Sequence, residues 1–145
     1  MVKKNIKILL VEDDASDADF IKHILYEFIE KKDIFHMENG ADALDFIFKK
    51  RKYESRRIED MPVLILLDLK SPKINGLEVL QKIKADENTR SIPVVIITSS
   101  NEKKDLENCY KFGANSFVVK PIDYKIFKST IRTLCEFWIN INHFK

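Results

Sequence analysis

The residues best placed to do chemistry in this chain are acids that close apolar runs. Asp68 ends Val63-Leu64-Ile65-Leu66-Leu67, and Glu12-Asp13-Asp14 ends Ile8-Leu9-Leu10-Val11. Two buried-looking strands therefore finish in carboxylate. If they are parallel neighbours, their carboxyl ends lie side by side, where open α/β sheets bind ligands. Two further runs end in polar groups: Val94-Val95-Ile96-Ile97 in Thr98, and Phe117-Val118-Val119 in Lys120. Three carboxylates about 5 Å apart repel by roughly 3 kcal/mol per pair at an effective dielectric near 20, so such a crevice calls for a cation. Oxygen ligands without Cys or His select a hard ion, and Mg²⁺, which keeps several waters and takes few carboxylates plus a phosphate, fits best. A lysine opposite the acids would pair with Asp68 at rest and with a phosphoryl oxygen during transfer, and the Thr98 hydroxyl would donate to the new phosphate. Singly, each acid reads as a helix cap or a solvated charge; the joint pattern carries the inference.

The elements that must position these groups follow from periodicity. Lys7 to Val11 reads as a first strand, followed by a helix capped by Asp14 or Ser16 with Phe20, Ile21, Ile24, Leu25, Phe28 and Ile29 on one stripe. Ile34 to Met37 is a second strand, and Ala41 to Lys50 a second helix burying Leu44, Ile47 and Phe48. The aperiodic, charged segment from Arg51 to Pro62 reads as an exposed loop. A third helix carries Leu77, Leu80 and Ile83; a fourth, capped by Asn101, carries Leu106, Cys109 and Tyr110 and stops at Gly113. The last, near Asp123 to Asn140, stacks Ile126, Phe127, Ile131, Leu134, Cys135 and Trp138, with Phe137, Ile139 and Ile141 in surplus. Strands alternating with helices predict an α/β fold, a doubly wound parallel sheet with right-handed crossovers.

Composition sets the bounds. A chain of 145 residues, 45% apolar and 33% charged, predicts one folded domain without an output domain. The net charge of +2 supplies no global field for nucleic acid or an anionic membrane, so neither partner is expected; the basic stretch from Lys49 to Arg57 reads as solvated loop. With no long apolar stretch and no signal-peptide pattern near Met1, the chain is expected in the cytoplasm. Cys109 and Cys135 read as reduced core residues, and His23, His36 and His143 as structural or surface histidines.

From about Ile6 to Asn140 the chain resembles the receiver domains of two-component response regulators. The matching residues are Glu12-Asp13, Asp68 with Pro72 and Gly76 behind it, Thr98, and Lys120-Pro121. The resemblance implies a flavodoxin-like sheet of order 2-1-3-4-5. It also implies that Asp68 takes a phosphoryl group from a histidine kinase, with Mg²⁺ held by Asp13, Asp68, the Lys70 carbonyl and, through water, Glu12. Such a protein is a phosphoacceptor and not an enzyme acting on a separate substrate. Phe117 occupies the position of the family's aromatic switch but lacks a hydroxyl, so switching would rest on packing. Lys70 and Ser100 occupy the two positions that flank the phosphoryl group and tune its loss to water. The charged loop before Pro62 and the Glu136-Phe137-Trp138 ending resemble single-domain receivers that serve phytochrome-type kinases, acting by docking on a kinase or phosphotransfer protein and a downstream target. The surplus apolar residues of the last helix, with Phe144, predict a homodimer face. Two other readings are a phosphorylation-independent interaction module and an aspartyl-phosphate hydrolase; the second normally has an Asp two residues after its nucleophile, where this chain has Lys70.

Overall fold

The computed structural model describes residues 2–70 and 73–145. Five strands, β1 (Ile8–Val11), β2 (Ile34–Met37), β3 (Leu64–Leu67), β4 (Val94–Thr98) and β5 (Ser116–Val119), pair in parallel in the order β2-β1-β3-β4-β5. The helices α1 (Ala15–Leu25), α2 (Gly40–Ile47), α3 (Gly76–Ala85), α4 (Lys103–Lys111) and α5 (Tyr124–Cys135) link or follow them. Alternate strand residues serve opposite faces. Leu9, Val11, Ile65, Leu67, Val94 and Ile96 pack with α2, α3 and Cys109 of α4. Ile8, Leu10, Leu64, Leu66, Val95 and Ile97 pack with α1 and α5. Burial on both faces explains why these strands read as unbroken apolar runs. Each residue from Leu64 to Leu67 is at most 1% exposed, and such a side chain contributes about 1.5 to 3 kcal/mol on burial. A slip of one residue would exchange the faces, so the register that places Asp68 is fixed by the core.

Four helices begin on an Asp or Asn whose side chain accepts a main-chain N–H from the first turn: Asp14 from Asp17, Asn39 from Asp42, Asn75 from Glu78, and Asp123 from Lys125 and Ile126. Each such cap is worth about 1 kcal/mol. The fourth helix departs from expectation: its cap position is Glu102, not Asn101, and Glu102 makes no side-chain cap bond. Within it Cys109 is buried, whereas Leu106 and Tyr110 are exposed. Gly113 follows with φ of 99°, the left-handed stop its position suggested.

The second helix ends at Ile47, earlier than its apolar spacing predicted, and the segment after it is not a plain solvated loop. It winds into two 3₁₀ turns, Arg51–Tyr53 and Ile58–Asp60, with Lys49 and Arg51 at positive φ. Arg56 is buried there. Its guanidinium donates to the carbonyls of Phe46 (2.6 Å) and Ile47 (3.1 Å), satisfying the last turn of α2, and to that of Arg57. The last helix also differs: regular α geometry stops at Cys135 and a π-wound stretch, Glu136–Ile141, continues it. Ile126, placed by spacing on the buried stripe, is 57% exposed.

Candidate functional site

The pairing of β1 with β3 sets Val11 against Leu67, and the Asp68 N–H donates to the Val11 carbonyl at 3.0 Å. Glu12 and Asp68 are thus neighbours at the carboxyl edge of the sheet. On the other side, β4 pairs with β5 through Thr98 and Val119, and the Lys120 N–H donates to the Thr98 carbonyl at 2.7 Å. The sheet alone therefore gathers all four strand ends. Gly76 fits against the Asp68 loop more closely than any side chain would allow: a Cβ there would lie 2.4 Å from the Asp68 carbonyl oxygen and 2.6 Å from the Leu69 Cα. Its N–H donates to the Leu69 carbonyl. Pro72, the other residue singled out behind Asp68, lies outside the described residues.

Ligand atoms of Glu12, Asp13 and Asp68 lie within 4.8 Å of one another, Glu12 and Asp68 buried and Asp13 exposed. An all-oxygen set with one member open to solvent suits a hard, partly hydrated cation. The Lys120 ammonium enters the same crevice and touches three acids: Glu12 at 2.7 Å, Asp17 at 2.9 Å and Asp68 at 3.3 Å. Burial pushes the Glu12 carboxyl up to about 8; the Lys120 hydrogen bond opposes that shift, and Asp68 reinforces it. For Lys120, burial favours the neutral amine, but hydrogen bonds to Glu12 and Asp17 and the charges of Glu12 and Asp68 outweigh it, holding the ammonium above the usual lysine range.

Thr98 is fully buried at the end of β4, and its hydroxyl accepts the Ser100 N–H at 3.2 Å. The Ser100 hydroxyl donates to Asp105 in the first turn of α4, tying the loop after β4 to that helix. The Lys70 N–H donates to Asp68 Oδ1 at 3.2 Å, while its side chain is exposed and forms no ion pair among the described residues. Phe117 is half-buried and packs on the face covered by α2 and α3. Cys109 and Cys135 are buried free thiols, raised to about 11 and about 12 by burial and nearby carboxylates. His36 Nε2 bonds the Glu12 carbonyl at 2.8 Å and so braces the end of β1.

Asp17 is the site residue that strand-end reasoning misses. In the sequence it is one acid among several at a helix start, where charge complements the helix dipole. Only the tertiary contact with Lys120, 103 residues away, separates it from its neighbours.

A doubly wound sheet with three acids, a threonine and a lysine at its carboxyl edge is the arrangement of a phosphoacceptor receiver. The chain belongs to the response regulator receiver domain family, whose profile matches residues 8–132. It is 36% identical over 135 residues to the probable methanogenesis regulatory protein FilR2 of Methanothrix harundinacea, covering 93% of this chain and 84% of that one. The response regulator Rcp1 of Synechocystis is 31% identical, covering 91% and 88%. The Mn(2+)-bound crystal structure of Rcp1 superposes with a TM-score of 0.89 at 29% identity, covering 97% of this chain and 99% of that one. The phosphorylated cyanobacterial phytochrome response regulator RcpA gives the same score and identity, covering 96% and 97%. The chain's role is accordingly that of a response regulator in two-component signal transduction, with the flavodoxin-like fold. Among the described residues no helix is long and apolar enough to cross a membrane.

Proposed function

We propose that Asp68 is the phosphoacceptor, taking its phosphoryl group from the phosphohistidine of a sensor histidine kinase or a phosphotransfer protein. The observation that carries this reading is the convergence on Asp68 of two further acids and the Lys120 ammonium. Asp13, Asp68, the Lys70 carbonyl and, through water, Glu12 would hold Mg²⁺, which supplies charge neutralisation between the acids and the phosphoryl oxygens. An Asp68 carboxylate oxygen attacks phosphorus, the bond from phosphorus to the histidine nitrogen breaks, and its electron pair stays on the imidazole. Lys120 moves its hydrogen bond from the Asp68 carboxylate to a phosphoryl oxygen. The Thr98 hydroxyl turns from the Ser100 N–H to donate to another, and that movement opens room for Phe117 to repack. The Lys70 side chain and Ser100 flank the acyl phosphate and set its hydrolysis rate; Lys70→Asn would change that rate.

The resemblance to the phytochrome response regulator supports a phytochrome-type kinase as donor, in the cytoplasm. Exposed Phe137 and Ile141 on the π-wound stretch support a homodimer through the last helix, which light scattering would detect as twice the monomer mass. Incubation with Mg²⁺ and acetyl phosphate tests the main reading. Wild type gains the mass of one phosphoryl group and Asp68→Ala does not; equal gain in both would refute it.

A further inference from the structure

Lys120 has three carboxyl partners, and two of them are committed elsewhere. Glu12 and Asp68 belong to the set that converges on the cation site, and Asp68 is also the proposed acceptor. Asp17 belongs to neither role. It stands in the first turn of α1, where its own N–H is held by the Asp14 cap at 2.9 Å and the helix N-terminus favours negative charge. Its carboxylate, 19% exposed, reaches the Lys120 ammonium at 2.9 Å. A lysine side chain has four methylenes and many rotamers, so an ammonium whose other partners are drawn away would lose its place.

We propose that Asp17 is a positioning residue: it anchors the Lys120 ammonium at the rim of the crevice while Glu12 and Asp68 engage the cation and the phosphoryl group. The inference rests on Asp68 being the phosphoacceptor. Asp17 touches no reacting atom and acts through Lys120 alone. Without it, Lys120 swings between Glu12 and Asp68 and meets the phosphoryl oxygen less often. A second consequence is mechanical, since the contact ties the end of β5 to the start of α1.

The experiment is phosphorylation of the full chain by acetyl phosphate, with Mg²⁺ and donor each raised to saturation for every variant so that weakened binding does not enter the rate. Asp17→Ala lowers the saturated rate about five- to tenfold, less than the roughly hundredfold a displaced catalytic group can cost, because Glu12 and Asp68 still keep the ammonium nearby. Asp17→Glu, which keeps the charge within reach, restores at least half of it. Asp19→Asn, which removes an exposed charge on the same helix away from the crevice, leaves the rate at the wild-type value. In the Mg²⁺-saturated protein, where Glu12 and Asp68 are drawn to the cation, the slowly exchanging ¹H–¹⁵N signal of the Lys120 ammonium is lost in Asp17→Ala and returns in Asp17→Glu. Should Asp17→Ala fail to fold, Asp17→Asn, close in shape and without charge, carries the same expectations. An unchanged saturated rate in a folded variant that lacks the charge overturns the inference, as does a glutamate variant no faster than the alanine one. Absence of phosphorylation in wild type would instead overturn the phosphoacceptor reading itself.

Discussion

Replacing Asp13 with Asn should make the metal-free protein more stable and at the same time deprive it of stabilisation by Mg²⁺. Ligand atoms of Asp13, Glu12 and Asp68 lie within 4.8 Å of one another, and the lysine contacts Glu12 and Asp68 but not Asp13. At that separation two unit charges repel by about 3.5 kcal/mol at an effective dielectric of 20 and by about 0.9 kcal/mol in bulk water. Asp13 is exposed, so the aqueous figure applies; summed over its two neighbours and reduced because Glu12 is protonated below about 8, it leaves about 1 kcal/mol of relief. For a domain of this size that is a rise in melting temperature of about 3 °C in EDTA. At Mg²⁺ a hundredfold above its dissociation constant, linkage adds about 2.7 kcal/mol to wild type, about 8 °C, and only a small part of that to Asp13→Asn. The order of the two melting curves, followed by circular dichroism, should therefore invert between EDTA and Mg²⁺. A lower melting temperature for Asp13→Asn in EDTA, or equal Mg²⁺ shifts in both proteins, would refute the reasoning.

Other outcomes follow from the same geometry. Because burial raises Glu12 from 4.5 to about 8, the native state binds more protons than the unfolded chain between those values, so metal-free stability falls as pH rises through that window. Glu12→Gln should flatten the slope in urea titrations across pH; an unchanged slope would assign it elsewhere. Gly76→Ala forces a Cβ against the Asp68 carbonyl, and should cost about 1 to 3 kcal/mol in urea denaturation together with a loss of phosphorylation rate. Arg56→Ala strands the carbonyls of Phe46 and Ile47 and should cost about 2 to 3 kcal/mol, with lysine restoring little because its single ammonium lacks the planar fork that serves Phe46, Ile47 and Arg57 from separate nitrogens.

The three central strands were legible because they are buried on both faces, so each appears as an apolar run with a polar terminus, and those termini meet at one edge of the sheet. Glu12, Asp13, Asp68, Thr98 and Lys120 could all be named that way, since parallel pairing brings strand ends together whatever the helices do. Asp17 could not, because its role depends on which side chain reaches it across the crevice. The buried Arg56 was hidden for a similar reason: a charged residue in an aperiodic stretch gives no sign that two helix carbonyls await it. Ile126 shows the converse limit. Its spacing fits the stripe of the last helix, yet the stripe is filled by Phe127, Ile131, Leu134 and Cys135, leaving Ile126 at the surface. The π-wound end of that helix, which carries Ile139 into the core beyond Cys135, was not legible in the spacing either.

The most direct test of the account is chemical location of the phosphoryl group. After reaction with acetyl phosphate and Mg²⁺, borohydride reduces an aspartyl phosphate to homoserine, and peptide sequencing by mass spectrometry then reads its position. The account predicts homoserine at residue 68 and nowhere else; homoserine at Asp13 or Asp17, or none in a protein that has gained phosphate, would contradict it.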